Sequence, residues 1–308
     1  MAPPFDQAVM VDWSASSSPR TGRDSIWAGV RRRGAGRSVV VNPPTRMAAA
    51  RWLGDLLDAA VAEGRRTLVG LDFSFGYPAG FARHLAERRG EAAPELPAWR
   101  ATWSLLAERL RDDERNANNR FAVADALNAE SGTCFFWGRP EGDRFDRLSH
   151  LPRRKPAPEG LRANPCAALR WTERCCGRGI KSGWQLYGGV TVGSQVLTGL
   201  PYVADLAGRL GAQLAVWPFE TGFGTDPFVA GAAPATVVVA EVWPSAFPAD
   251  LGAAAVRDEA PVLATLEARV AAGDETWRRW LDPPAVGALD AHARADVLTE
   301  EGWILGIE

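Results

Sequence analysis

Three acidic residues, Asp12, Asp72 and Glu241, each follow an apolar, strand-like run and stand before an aromatic residue or a Val-Trp pair. Continuous Val and Leu runs are typical of buried strands, and in open α/β sheets ligands bind just beyond the carboxyl ends of the strands. Acids at those ends can meet at one site, where they repel one another unless they share a proton or a cation. The pattern predicts a site for Mg²⁺ or Mn²⁺, because both ions prefer carboxylate oxygen.

Two further acids, Asp290 and Asp296, lie in the last predicted helix. Their six-residue separation places them about 120° apart around a helix, so they need not serve one site. We expect one of them to join the first three acids in catalysis, and we take Asp290 as the fourth metal ligand. The alternative for this pair is a solvated helix face. For Asp12 or Asp72 alone, the alternative is a turn or helix-capping role.

Several polar residues near these motifs are candidates for substrate binding: Ser14, Ser74, Arg120, Arg139, Ser194, Gln195 and Glu220. The two serines after the acids would flank the metal site, and Glu220 follows another short apolar run. The two arginines could clamp a phosphate or a carboxylate through paired hydrogen bonds. Ser194 and Gln195 follow a glycine-rich segment that leads into a helical pattern, which suits anion binding. A tight turn capped by Ser194 is the favoured interpretation of that segment.

Composition narrows the class of protein. A chain of 308 residues with 46% hydrophobic residues can bury a full core. The formal net charge of -2, with Lys155 and Lys181 as the only lysines, does not indicate a nucleic-acid binder, although a local basic patch is compatible with it. The four cysteines form no Cys-x-x-Cys pair, so zinc-ligand spacing is missing and we expect reduced thiols. The first residues lack a signal-peptide pattern, and no run approaches the ~20 apolar residues of a membrane span, so we expect a cytoplasmic protein without a membrane partner.

The first part of the chain predicts a regular order of elements. Strands are expected at residues 7–12, 25–32 and 37–41, joined by turns short enough for antiparallel hairpins. A helix follows from Thr45 to Glu63, with apolar residues at helical spacing. If this helix is a crossover, the next strand, residues 67–72, runs parallel to its partner in the sheet.

The middle of the chain changes to helical stretches and loops, and strand-like runs return after it. We predict strands at 213–217 and 236–242 and helices near 260–272 and 285–298. The predicted organisation is therefore a core whose first part is residues 1–78 and whose second part is 212–308. Residues 79–211 form a largely helical insertion or cap.

This order of elements resembles the ribonuclease H-like fold, an α/β class with a mixed sheet flanked by helices. The segments around Asp12 and Asp72, the Glu-Val-Trp-Pro element at Glu241 and the late segment that holds Asp290 and Asp296 are similar to motifs of an uncharacterised family of predicted nucleases. The resemblance covers both ends of the chain and not its middle. The helix-borne Glu of ribonucleases H has no clear counterpart, so a fourth carboxylate would come from the last helix or from Glu241.

The resemblance implies that Asp12 and Asp72 bridge two Mg²⁺ or Mn²⁺ ions and that Glu241 and a last-helix acid complete the shells. Two such ions orient a water for attack on a phosphodiester. The substrate would be a nucleic acid or another phosphate-containing ligand. Two alternatives remain open: an ATP-binding phosphotransferase or ligand-binding protein of the related actin-like ATPase topology, and a non-catalytic member that acts by association. The sequence does not indicate an oligomeric state.

Overall fold

A six-stranded mixed sheet flanked by helices is the frame of the molecule, in the strand order β3-β2-β1-β4-β6-β5. The computed structural model describes residues 4–91, 96–155, 164–177, 180–189, 191–229, 234–244 and 258–308. The strands are β1 (Gln7–Asp12), β2 (Trp27–Arg32), β3 (Val39–Val41), β4 (Thr67–Leu71), β5 (Leu214–Val216) and β6 (Val237–Glu241). All six lie within one or two residues of the predicted positions, and the mixed α/β class is confirmed.

The first three strands form an antiparallel meander, and the remaining strands join it in parallel. Helix α1 (Arg46–Ala62) makes the crossover from β3 to β4. It begins where the Thr45 hydroxyl accepts a hydrogen bond from the Ala48 N–H, and it ends before Gly64, whose φ of 62° suits glycine. The crossover returns the chain to the end of the sheet at which β1 and β3 begin. β4 therefore runs parallel to β1, as predicted.

In the described residues between β4 and β5, most of which were predicted as an insertion or cap, there are six α-helices and a short 3-10 turn, Gly211–Gln213. The helices are α2 (Phe81–Arg89), α3 (Ala98–Arg109), α4 (Arg120–Ser131), α5 (Asp143–Asp146), α6 (Trp171–Cys175) and α7 (Gly193–Leu210). Helix α7 contacts α1, α3 and β5. Its buried side chains share one apolar core with β1, β4 and β6, so α7 covers the sheet directly.

The last part of the chain forms α8 (Glu259–Ala271), α9 (Asp274–Leu281), α10 (Pro284–Gly287), α11 (Ala291–Asp296) and a π-helical turn, Val297–Glu301. Helix α8 packs on β1 and β2. Helical structure was predicted near 285–298, and α10, α11 and the π-helical turn lie there as separate elements. The chain breaks before Asp290 because the Asp290 carboxylate accepts from the Ala293 N–H and starts a new helix there.

Two apolar cores lie on opposite faces of the sheet, because successive side chains of a strand alternate between its faces. The core on the side of α1, α3 and α7 includes Val9, Val11, Val69, Leu71, Val237 and Val239. The core on the side of α8 and α9 includes Ala8, Met10, Leu68, Val238, Ala240 and Val242. Because both faces of the sheet are covered, the strand sequences are Val-rich and do not alternate between apolar and polar residues.

The four cysteines have free thiols. Within the described ranges, no helix combines the length and apolar character needed to cross a membrane.

Candidate functional site

Asp12 and Asp72 lie beside each other at the carboxyl edge of the sheet. Asp12 is the last residue of β1, and Asp72 directly follows β4. The parallel ladder between these strands continues to this point, since the Asp72 N–H donates to the Val11 carbonyl oxygen at 3.0 Å. Neighbouring strands are about 4.8 Å apart, so the ladder brings the two acids together as the sequence predicted.

The pKa values of both carboxylates are raised. Burial raises the pKa of Asp12 to about 7, and repulsion from Asp258 adds to the shift. Burial raises the pKa of Asp72 well above its ordinary range, and repulsion from Asp12 and then from Glu241 raises it further. Neither Asp12 nor Asp72 has a hydrogen bond or an ion pair through its carboxylate to any described residue. Both residues are partly exposed, so each carboxylate has lost part of its hydration without gaining a partner among the described residues.

Glu241, the last residue of β6, has a different environment. Its side chain is buried and forms a paired contact with Arg170, with Nη1–Oε2 at 2.7 Å and Nη2–Oε1 at 2.6 Å. Its Oε2 also accepts the Phe75 N–H at 3.1 Å. Burial raises the pKa of Glu241, and the Arg170 guanidinium opposes that shift. A role for Glu241 as a metal ligand would require this ion pair to open.

Strand register explains why Glu241 is separated from Asp12. Glu241 is in register with Leu71, whose side chain belongs to the core on the α7 side. Asp12 is in register with Trp27, whose side chain belongs to the core on the α8 side. Because paired residues share a face, Asp12 and Glu241 project from opposite faces of the sheet.

Arg170 is the site residue that the sequence did not reveal. It precedes α6, and its side chain is 1% exposed. Besides Glu241, its guanidinium donates to Glu173 Oε1 at 3.0 Å, to the Glu301 carbonyl oxygen at 2.8 Å and to Ser74 Oγ at 3.0 Å. All five N–H groups are thus used, and Arg170 has none left for a ligand. Arginine is abundant in this chain, so no pattern distinguished it.

The acids of the last helix are not part of this arrangement. Asp290 is exposed and caps α11, with its Oδ1 accepting from the Ala293 N–H at 2.8 Å. Asp296 is partly exposed, and its carboxylate lies 3.8 Å from His292 Nε2. Among the residues with described positions, no group of three or more His, Cys, Asp or Glu side chains is arranged to hold a metal ion. The predicted set of four metal ligands is therefore not assembled.

Two buried acids next to the predicted ones have structural roles instead. The Glu300 carboxylate accepts from the Gly80 N–H at 2.7 Å and the Ala82 N–H at 3.0 Å. Glu301 accepts from the Ala79 N–H at 2.9 Å and the Trp171 N–H at 2.6 Å. These contacts fix the start of α2 and the start of α6 against the end of the chain.

A cavity of about 230 Å³ opens beside Asp72 at the carboxyl ends of β4 and β6. Its polar walls include Ser74, Arg170, Glu173, Lys181, Thr191, Gln195 and Glu241. Lys181 is exposed and lines the cavity, so an ammonium group lies in the same lining as the Asp72 carboxylate. This is the position at which open α/β sheets bind ligands.

The serine-rich loop after Asp12 is held by buried charges. Arg46 Nη1 donates to the carbonyl oxygens of Ser14 at 3.1 Å and Ser16 at 2.7 Å, and Arg46 is itself paired with Asp112. The Ser14 hydroxyl accepts the Ser16 N–H at 3.3 Å and stays within the loop. Gln195 Nε2 donates to the Trp13 carbonyl oxygen at 2.6 Å and ties this loop to α7.

Ser194 does not cap α7, so that interpretation was wrong. The helix begins at Gly193, which places Ser194 inside the first turn, and its hydroxyl donates to the Leu186 carbonyl oxygen at 2.7 Å. A Cβ at Gly193 would lie 2.4 Å from the carbonyl oxygens of Gln185 and Gly183, so the close approach requires glycine.

The side chains of two substrate-binding candidates, Arg139 and Glu220, are bonded to other residues of the protein. Arg139 donates to the Phe145 carbonyl oxygen at 2.6 Å and to Asp146 at 2.9 Å. Glu220 is paired with Arg100 and accepts the Val216 N–H at 2.9 Å.

Comparisons of this chain with protein-family models, with curated proteins and with solved structures found no match.

Proposed function

We propose that the protein is a divalent-cation-dependent phosphodiester hydrolase, nuclease-like, with a ribonuclease H-like core. The antiparallel meander, the parallel addition of β4 beside β1 and the acids at the ends of those two strands support the resemblance on which this proposal rests. One observation carries the functional part: Asp12 and Asp72 are adjacent carboxylates with no partner among the described residues.

The fully buried acids near this edge are satisfied by donors. Glu173 and Glu241 are paired with Arg170, and Glu300 and Glu301 accept backbone N–H groups. Two partly desolvated carboxylates that repel each other are costly, and a shared cation offsets both the repulsion and the lost hydration. The contrast within one site therefore favours a cation as the partner of Asp12 and Asp72.

The donor set fits Mg²⁺ or Mn²⁺. Magnesium keeps several waters and is commonly held by one or two carboxylates together with substrate phosphates, so two acids suffice. Asp12 and Asp72 would hold the ion, and Glu241 would stay with Arg170. When bound, such an ion polarises the phosphoryl oxygen and lowers the pKa of a bound water.

The remaining residues position the acids and the substrate. Glu241 accepts the Phe75 N–H and Arg170 donates to Ser74 Oγ, so this ion pair fixes the backbone that follows Asp72. Lys181 would attract the anionic ligand into the cavity. The cavity is smaller than the ~300 Å³ at which small-molecule pockets usually begin, so it would take one unit of a substrate whose remainder extends outside.

The proposal is tested by Mn²⁺ titration calorimetry on the full chain, followed by hydrolysis assays with bis(p-nitrophenyl) phosphate and a labelled single-stranded oligonucleotide. We expect Mn²⁺ binding and cleavage that EDTA abolishes, with both lost in Asp12→Asn and in Asp72→Asn. Asp290→Asn is the matched control, because an exposed capping acid should leave Mn²⁺ affinity unchanged. Metal-dependent cleavage that persists in both site variants would refute the proposal.

A further inference from the structure

Arg120, the first residue of α4, has an unusual set of partners for a buried cation. The residue as a whole is 8% exposed. Its Nε donates to Ser194 Oγ at 2.9 Å, and its Nη1 donates to Ser17 Oγ at 3.0 Å and Asn118 Oδ1 at 2.8 Å. All three acceptors are neutral, so the guanidinium charge is not compensated by these contacts.

The other buried arginines at this edge of the sheet are compensated. Arg46 is paired with Asp112 and Arg170 with Glu241, each through two hydrogen bonds. Arg120 has no carboxylate at ion-pair distance in the part of the chain that the structure describes. Asp112 attracts it from farther away, but that carboxylate already binds Arg46.

The surroundings of Arg120 further disfavour its uncompensated positive charge. Burial lowers the pKa of Arg120 to about 10, and the positive charges of Arg46 and Arg144 act in the same direction. The guanidinium carbon lies 4.4 Å from the centre of the Phe121 ring, a contact that offsets only part of the cost of burial. The local field therefore favours an anion.

Two donors remain available beside this charge. Nη2 of Arg120 donates to no acceptor among the described residues. The Ser17 hydroxyl accepts from Nη1, and its own proton has no acceptor among them either. Ser17 is exposed, so a ligand can reach it from solvent. A guanidinium N–H next to a hydroxyl matches two oxygens of one tetrahedral oxyanion.

Arg120 is linked through its hydrogen-bond partners to the loop after Asp12 and to the cavity beside Asp72. Ser17 belongs to the loop that follows Asp12, and Ser194 holds Arg120 from the first turn of α7. Its neighbour Gln195 lines the cavity beside Asp72 and binds the same loop through Trp13. The two sites are thus connected through one loop and one helix turn.

We propose that Arg120 and Ser17 form an oxyanion site that binds a phosphate group, with Ser194 and Asn118 positioning the guanidinium. The identification of that phosphate as part of a hydrolase substrate rests on the proposed function. The binding of the anion does not, because it requires neither a metal nor turnover. The site would hold a phosphate outside the cavity while Asp12 and Asp72 act on another one.

The test is titration calorimetry of the full chain with inorganic phosphate in buffer that contains EDTA. We expect binding that weakens at least about tenfold in Arg120→Gln, the loss that follows from one missing charge-assisted hydrogen bond. Ser17→Ala should also weaken it, and because Ser17 is exposed this variant keeps the fold. Arg89→Gln is the matched control, since Arg89 already pairs with Glu130 and its loss should leave phosphate affinity unchanged.

Phenyl phosphate in a parallel titration distinguishes the source of the anion. Binding comparable to that of inorganic phosphate indicates a site for esters, and binding of inorganic phosphate alone indicates a site for the free ion. The assignment would be overturned if the folded wild type did not bind phosphate. It would also be overturned if Arg120→Gln and Ser17→Ala bound phosphate with the affinity of the wild type. If Mn²⁺ binding at Asp12 and Asp72 persists in that case, the proposed function survives it.

Discussion

Replacing Asp12 by Asn should stabilise the protein at pH 8 and should have little effect near pH 4. The folded protein keeps the proton of Asp12 up to about pH 7, whereas an ordinary aspartic acid releases it near 3.8. Between those values the folded state binds more protons than the unfolded state, so the free energy of unfolding falls as pH rises through this window. The Asn side chain does not ionise and removes that loss.

The magnitude follows from the size of the pKa shift. The change from 3.8 to about 7, at about 1.4 kcal/mol for each pKa unit, corresponds to about 4 kcal/mol when Asp12 is fully ionised. Asp12 is partly exposed, and solvent screens its charge, so we take that value as an upper limit and expect about 2 kcal/mol. Removing the Asp12 charge also relieves the repulsion that raises the pKa of Asp72.

The assay is urea unfolding followed by circular dichroism, on both proteins from pH 4 to pH 8 in metal-free buffer. The difference between their free energies of unfolding should grow across this range in favour of the variant. Asp112→Asn is the control, because Asp112 is a buried acid that is paired with Arg46. Its loss leaves the guanidinium without a counter-ion, so this variant should be destabilised by about 3 kcal/mol at pH 8.

An Asp12→Asn variant whose stability at pH 8 equals or falls below that of the wild type would refute the reasoning. It would show that Asp12 has a favourable partner, and the argument for a cation beside Asp72 would lose its basis. Loss of stability in both variants would indicate that any acid at this edge of the sheet is stabilising.

Two further substitutions test the assignments around the site. Arg170→Met should lower the free energy of unfolding by about 3–5 kcal/mol, because it leaves Glu241 buried without its partner. Adding Glu241→Gln should restore part of that loss, and purely additive effects in urea unfolding would contradict the coupling. Asp290→Ala should cost about 1 kcal/mol, because it removes the cap of α11. A Mn²⁺ titration of that variant should match the wild type, and weaker binding would return Asp290 to the metal site.

Much of the fold could be predicted from local patterns. The Val-rich runs located the strands, and the length of the segment between β3 and β4 required a crossover and hence a parallel pair. The proximity of Asp12 and Asp72 followed from that topology. The helical region expected near 285–298 is divided because Asp290 caps a new helix, and the sequence pattern does not indicate whether a carboxylate caps a helix or faces solvent.

The site beyond that pair could not be predicted in the same way. Glu241 ends its strand as the other acids do, but its strand is shifted by one position in register, which turns its side chain to the opposite face. Arg170 reaches it from a loop 71 residues away in the chain. Such a pairing depends on how loops and helices pack, and sequence periodicity does not carry that information.

The sequence by itself determined the elements of this protein and the pair of acids at the ends of β1 and β4, because strand patterns and chain connectivity are local properties. The tertiary structure alone decided which acids remain without a partner. It paired Glu241 with Arg170, used Asp290 as a helix cap and left Asp12, Asp72 and the Arg120 guanidinium without opposite charges among the described residues. The physical reason is that burial and charge pairing depend on contacts between distant parts of the chain.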